Sequence, residues 1–375
     1  MLIAVPKEIR EGEKRVALVP DVINKLTRLG LDVVIESGAG LHSQASDAEF
    51  VAAGAKVESG DVLKSADVVL SVQPLTPAQM ATLKKGAVTI SFLSVVTAAD
   101  SIDAAASAGV TAFSLELVPR ISRAQSMDAL TSQALCAGYR AAIVGAELSP
   151  RFFPLLMTAA GTVTPAQVLV LGAGVAGLQA IATTRRLGAV VSAYDVRPSS
   201  ADEVKSMGAT FVELELESLA GAGGYAREMT EDRAAKQREL LTPYIAKSHV
   251  LITTAAVPGR TAPRLVTAEM VNSMAPGTVI VDLAAETGGN VEGSKPGEIV
   301  TTANGVQIWG GKDVPSQLPF HASSLYSRNV VNLLTLLTVP PAEGTQAALN
   351  LNFEDEIIDG SAVTHAGSRR GGGAK

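Results

Sequence analysis

One cysteine, Cys136, stands in 375 residues, so neither an internal disulfide nor a multi-cysteine metal site is open to this chain. Set among small apolar residues in QALCAGYR, it reads as an inert packed thiol. There is no basic run beyond Arg369-Arg370, and the formal net charge is -6. That excludes the positive footprint that nucleic-acid binding requires. No stretch approaches the roughly 20 uncharged apolar residues that span a bilayer. The nearest, Val330 to Pro341, is short and holds Asn332. A chain without a span does not itself carry protons across a membrane. The opening MLIAVPKEIREGEKRVALVP lacks the long apolar region of a signal peptide. His42, His249, His321 and His365 fall in unrelated contexts without metal spacing, so no metal site is expected.

Aromatics are scarce, at 4%, while Ala, Val, Leu and Gly dominate, which suits parallel sheets under closely packed helices. Hydrophobic residues at 47% against 18% charged mark a globular chain, and its length suits two α/β domains. In the first third, strands are expected at residues 2–5, 31–35, 67–72 and 87–92. Between them the pattern predicts a helix capped by Asp21 and stopped at Gly30, a second over 47–53, and a third opened by Thr76-Pro77 and closed by Gly86. A long helix over 127–147 leads out of this series. A second series follows, with strands at 167–171, 189–194, 209–213, 250–253 and 278–283 and a helix over 175–187. A second long helix, about 321–337, brings the chain back. The expected architecture is α/β: two Rossmann-like doubly wound parallel-sheet domains with an inter-domain cleft. Residues 1–130 with 320–375 form an outer lobe, and 131–319 form the nucleotide-binding domain. The Gly- and Arg-rich end, 367–375, is expected to be mobile.

QVLVLGAGVAGLQAIATTRRLGAVVSAYDVR, from Gln167 to Arg197, carries the chemistry. Gly172-x-Gly174-x-x-Gly177 follows an apolar strand and opens a helix. The first glycine permits the turn, the second lets a pyrophosphate approach the backbone, and the third lets helix and strand pack. The helix start offers free N–H groups and partial positive charge to phosphates. Asp195 ends the next strand, where a carboxylate bonds the adenosine ribose hydroxyls. Its charge favours NAD over NADP; Arg197, two residues on, pulls the other way because it can reach a 2′-phosphate. Gly38-Ala39-Gly40 lacks a third glycine, so the first lobe is not expected to bind a dinucleotide. Gly221-Ala222-Gly223-Gly224 reads as a flexible hinge ahead of Tyr225.

Several stretches together resemble the NAD-binding component of the proton-translocating transhydrogenases: VPKEIREGEKRVALVP, PRISRAQSMDALTSQ, LMTAAGTVTPAQVLVLGAGVAGLQ, YDVRPSSADEV, GGYAREM, TTAAVPGRTAP and DLAAETGGN. The resemblance runs from residue 2 to about 335, and RISRAQSMD is its most specific segment. It implies that Arg120, Gln125 and Asp128 position the nicotinamide end, as a guanidinium and an amide can bond carboxamide, ribose and phosphate oxygens. Thr131 is implied as a further contact, with Val175 and Val196 beside the glycine turn and Asp195. Gly224 and Tyr225 are implied in a loop closing over the nucleotide, and Thr254 and Ala255 in a strand end on the cofactor side. The implied activity is hydride transfer between NADH held here and NADP(H) on a partner subunit. A membrane-embedded proton-channel subunit would complete a complex with a homodimer of this chain, peripheral to the inner membrane on its cytoplasmic side.

The alanine dehydrogenases resemble the chain more distantly. They need an arginine for the substrate carboxylate and a lysine and a histidine for its carbonyl. Arg15 matches the arginine, whereas Gln73 and Ser94 stand at the lysine and histidine positions. Neither replacement acts as an acid at neutral pH. A stand-alone amino-acid dehydrogenase and a non-catalytic NAD-binding regulatory module remain the alternatives.

Overall fold

The computed structural model describes residues 1–216, 230–256, 259–341 and 347–371. The chain forms two compact units, Met1–Gln133 with Pro315–Lys375, and Ala134–Val314.

The first unit runs β1 (Leu2–Val5), α1 (Pro20–Arg28), β2 (Asp32–Glu36), α2 (Asp47–Ala52), β3 (Lys56–Glu58), β4 (Val68–Leu70), α3 (Pro77–Met80), β5 (Val88–Ser91), α4 (Ala99–Ser107) and β6 (Thr111–Ser114). Its strands pair in parallel in the order β3-β2-β1-β4-β5-β6. β1 and β4 are short apolar runs, and β5, which alternates Val and Ile with Thr and Ser, is buried along its whole length, as a sheet covered by helices demands. Each buried Val, Leu or Ile contributes about 1.5–3 kcal/mol. Two helices start on a reciprocal cap. Ser46 and Glu49 cap α2, and Thr76 and Gln79 cap α3.

Two expected helix signals act differently. α1 begins at Pro20 without a side-chain cap, and Asp21 lies inside its first turn, where its charge suits the helix dipole. α3 ends at Met80 rather than at Gly86, whose φ of +84° serves the turn that feeds β5.

α5 (Ala129–Leu148) leads into the second unit. There follow β7 (Leu156–Thr158), β8 (Gly161–Val163), β9 (Gln167–Leu171), α6 (Val175–Arg186), β10 (Val190–Tyr194), α7 (Ser200–Ser206), β11 (Thr210–Phe211), α8 (Glu231–Lys247), β12 (Val250–Thr253), α9 (Ala268–Asn272), β13 (Val279–Asp282), β14 (Ile299–Thr301) and β15 (Gln307–Gly310). The sheet order is β11-β10-β9-β12-β13-β15-β14, parallel except for β14. α10 (Pro319–Leu336) and α11 (Glu356–Ser361) complete the first unit. Among the described residues no helix is long and apolar enough to cross a membrane.

In both sheets the order in which parallel strands are added changes direction at the centre, between β1 and β4 and between β9 and β12. Ligands of doubly wound sheets bind at the carboxyl ends of the strands at such a point.

Candidate functional site

The carboxyl ends of β9, β10 and β12 bring the second unit's predicted residues together. Gly172 turns the chain out of β9 with φ +101°, a conformation that suits glycine, and its N–H donates to the Tyr194 carbonyl at 2.8 Å. A Cβ on Gly177 would stand 1.8 Å from the Gly172 carbonyl oxygen, so close helix–strand packing demands glycine there. Gly174 differs: a Cβ there would meet none of the described residues within 4 Å. Packing does not require that glycine, and the open space beside it fits an approaching pyrophosphate. Gly174 also begins α6 with no side-chain cap, while Val175 at the first helical position is exposed. The first-turn N–H groups thus suit an anion.

Asp195 lies across the turn from these groups. Its Oδ2 accepts from the Ala173 N–H at 2.7 Å, and its Oδ1 from the Arg197 N–H at 2.9 Å. The Arg197 side chain donates to both oxygens, from Nε and Nη2, each at 2.9 Å. The Asp195 carboxylate outweighs partial burial and raises the Arg197 pKa. Val196 packs its side chain onto the apolar layer under α8 and α9. Thr254 donates from Oγ1 to the Gly172 carbonyl at 3.0 Å, which ties the end of β12 to the glycine turn.

Sequence reasoning missed what holds Ala255. Asn290, fully buried, accepts from its N–H at 3.0 Å and donates to the carbonyls of Ala255 at 2.7 Å and Pro263 at 2.9 Å. Asn290 and Val291 in turn donate their N–H groups to buried Asp282 at 3.3 and 3.2 Å. The available signal is DLAAETGGN, whose first and last residues are these anchors. Gly224 and Tyr225 lie outside the described residues.

Arg120, Gln125, Asp128 and Thr131 belong to the first unit. Arg120 precedes a 3-10 helix, Ser122–Met127, that carries Gln125; both side chains are exposed. Asp128 starts α5: its carboxylate accepts from the Thr131 N–H at 2.8 Å and from the Thr131 hydroxyl at 2.6 Å. The pair thereby supplies the N-cap of that helix.

The first unit gathers a second polar cluster, around Arg15. Arg15 donates to Glu13 from Nε at 2.8 Å and Nη2 at 2.6 Å, and from Nη1 to Gln133 at 2.9 Å. Gln73 and Ser316 also donate to Glu13, each at 2.6 Å. Burial would raise the Glu13 carboxyl, but Arg15, Ser316 and Gln73 outweigh it and hold it at about 2. Glu8 accepts from the Val72 N–H at 2.6 Å, and burial pushes its pKa up to about 7. Glu8 and Gln73 line a cavity of about 310 Å³ at the carboxyl ends of β1 and β4. Ser94 instead accepts the Val96 and Thr97 N–H groups, both at 3.3 Å. Two histidines are tied into the fold, His249 accepting from the Gln167 N–H and His365 bonding Thr111, each at 3.0 Å.

Residues 4–137 match the N-terminal domain model of the alanine dehydrogenase/PNT family, and residues 141–370 match its C-terminal domain model. The chain is 47% identical to an NAD(P) transhydrogenase alpha-subunit chain of Rhodospirillum rubrum, over 98% of this chain and 97% of that one. It is 33% identical to the alanine dehydrogenase of Mycolicibacterium smegmatis, over 79% of this chain and 76% of the other. A solved transhydrogenase structure from Sinorhizobium meliloti superposes with a TM-score of 0.85 at 42% identity, covering 98% of each chain. The chain belongs to the alanine dehydrogenase/PNT family and, within it, stands with the NAD(P) transhydrogenase alpha subunits.

Proposed function

We propose that this chain is the NAD(H)-binding component of a Re/Si-specific, proton-translocating NAD(P) transhydrogenase. In this reading hydride passes directly between NADH held here and NADP+ held by a partner subunit, and a membrane-embedded subunit couples the exchange to proton movement. The observation that carries it is the open cradle at Gly174 facing an Asp195 carboxylate within one strand–turn–helix–strand unit.

The residues present fit the cofactor. Gly174 and Val175 would offer backbone to the pyrophosphate on a turn that Gly172 and Gly177 shape, Asp195, Val196 and Arg197 would frame the adenosine ribose, and Thr254 and Ala255 would close the far wall. Assigning Arg120, Gln125, Asp128 and Thr131 to the nicotinamide end rests on the RISRAQSMD resemblance, as does a role for Gly224 and Tyr225. When bound, the nicotinamide supplies the hydride. This chain's residues need only bind, orient and exclude water, because exchange between two nicotinamides uses no proton relay.

The Arg15 cluster supports this over an amino-acid dehydrogenase. Its guanidinium is committed to Glu13 and Gln133, and Gln73 and Ser94 supply no acid. An apolar segment of the second unit supports the homodimer. Phe152, Leu155 and Met157, the last in the hairpin of β7 and β8, leave large apolar surfaces in solvent, with Met157 79% exposed. Through its partners the chain would sit on the cytoplasmic face of the inner membrane. The test is assay of the purified chain with NAD+ and L-alanine, and separately with NADH, a nicotinamide analogue and an NADP-binding component. Exchange only in the second mixture is expected; alanine-dependent NADH formation overturns the reading.

A further inference from the structure

Asp195 has no acceptor site left for a ribose. An ionised carboxylate offers about four lone-pair positions. Four donors fill them: the N–H groups of Ala173 and Arg197, at 2.7 and 2.9 Å, and the Nε and Nη2 of Arg197, both at 2.9 Å. The two backbone donors belong to the turns themselves and stay. The other two come from one long, rotatable side chain that is 21% exposed, against 8% for the carboxylate it covers. An adenosine ribose brings two hydroxyl donors, the number that departure of this side chain would release.

We infer that the Arg197 guanidinium is a stand-in for the ribose diol, holding Asp195 in its binding rotamer until the 2′- and 3′-hydroxyls displace it. The inference rests on the NAD(H) reading above and makes Arg197 a specificity-determining residue. Arg197 competes with the ribose, so wild-type affinity for NADH is set below what Asp195 alone would give. Its charge is also spent on Asp195. A 2′-phosphate lacks the 2′-hydroxyl donor and cannot replace Arg197 there; its natural partner is Arg197, already engaged. The carboxylate and the guanidinium thus exclude NADP together, and the basic residue that looks made for a 2′-phosphate is withheld from it.

The effects of two substitutions then differ in sign. In Asp195→Asn the amide oxygen still accepts the Ala173 N–H, so the glycine turn is kept while Arg197 loses its carboxylate. The test is to measure NADH and NADPH affinity, through the fluorescence of each nucleotide, for the wild type, Arg197→Ala, Asp195→Asn and the double variant, with circular dichroism reporting the fold. Arg197→Ala is expected to bind NADH roughly three- to tenfold more tightly, the scale of a half-buried ion pair, with no gain for NADPH. Arg197→Lys, with one donor group in place of a fork, should fall between. Asp195→Asn is expected to lose NADH affinity and gain about tenfold or more for NADPH, a gain that vanishes in the double variant. Weaker NADH binding by Arg197→Ala, or an NADPH gain that survives without Arg197, overturns the stand-in while leaving the NAD(H) reading in place. A wild-type chain that binds neither nucleotide overturns both.

Discussion

The Arg15 guanidinium closes on the Glu13 carboxylate in a two-point contact, Nε to Oε1 at 2.8 Å and Nη2 to Oε2 at 2.6 Å, with both side chains buried. An arginine so engaged is not offering its fork to a substrate carboxylate. What the pair does instead is hold the segment before α1 to Gln73, Gln133 and Ser316. Removing one member of a buried pair strands the other charge. Glu13→Ala should therefore cost about 3–5 kcal/mol in urea unfolding, while Glu13→Leu with Arg15→Leu costs much less. Equal losses in the single and double variants would contradict this role.

The glycines of the turn separate packing from binding. Gly177→Ala places a methyl against the Gly172 carbonyl, 1.8 Å away, and should destabilise by at least about 2 kcal/mol. Gly174→Ala meets none of the described residues, at a φ of -76° that alanine adopts freely. Its stability should stay within about 1 kcal/mol of wild type while NADH affinity falls about tenfold or more. Thermal melts and nucleotide titrations of the two variants check the contrast.

Glu8 predicts a pH dependence. Its folded pKa of about 7 stands above the ordinary 4.5, so the folded chain keeps a proton that the unfolded chain releases in that interval. The contribution is complete below pH 4.5 and is lost as pH rises to about 7. Glu8→Gln should flatten this decline by roughly 1–3 kcal/mol. The Glu13 window lies lower, between 4.5 and about 2, and does not overlap it. Unfolding curves at pH 5 and pH 8 that shift in parallel for wild type and variant would refute the assignment.

Gln125 is exposed on its 3-10 helix, and its side chain can change without disturbing a core. Gln125→Asn should slow transfer about tenfold or more, the scale of a misplaced reacting group, with NADH affinity kept within about twofold. Lost affinity with an unchanged transfer step would remove Gln125 from its proposed role.

What could be read in the sequence was what a local spacing forces. Gly172 to Asp195 is one unbroken segment in which turn, helix start and carboxylate each leave a residue-type signature. The competing pulls of Asp195 and Arg197 could be seen but not weighed, because the answer lies in which lone pairs are filled. The Arg15 cluster could not be read as a cluster, since its partners stand 2, 60, 118 and 303 positions from one another in the chain. β14 and β15 escaped notice because glycine and lysine turns surround short runs with weak alternation. Asp128 carried two meanings at once, polar site residue and helix cap, and its bonds to Thr131 give it the second whatever else it does.

The central claim is direct passage of hydride between two nicotinamides, and isotope tracing tests it most closely. The chain, with an NADP-binding component and NADP+, would be supplied with NADH carrying deuterium at the transferred position of the ring. The account predicts NADPH that retains this deuterium in ordinary water. NADPH carrying hydrogen from solvent, or label appearing in a reduced keto acid, would contradict it.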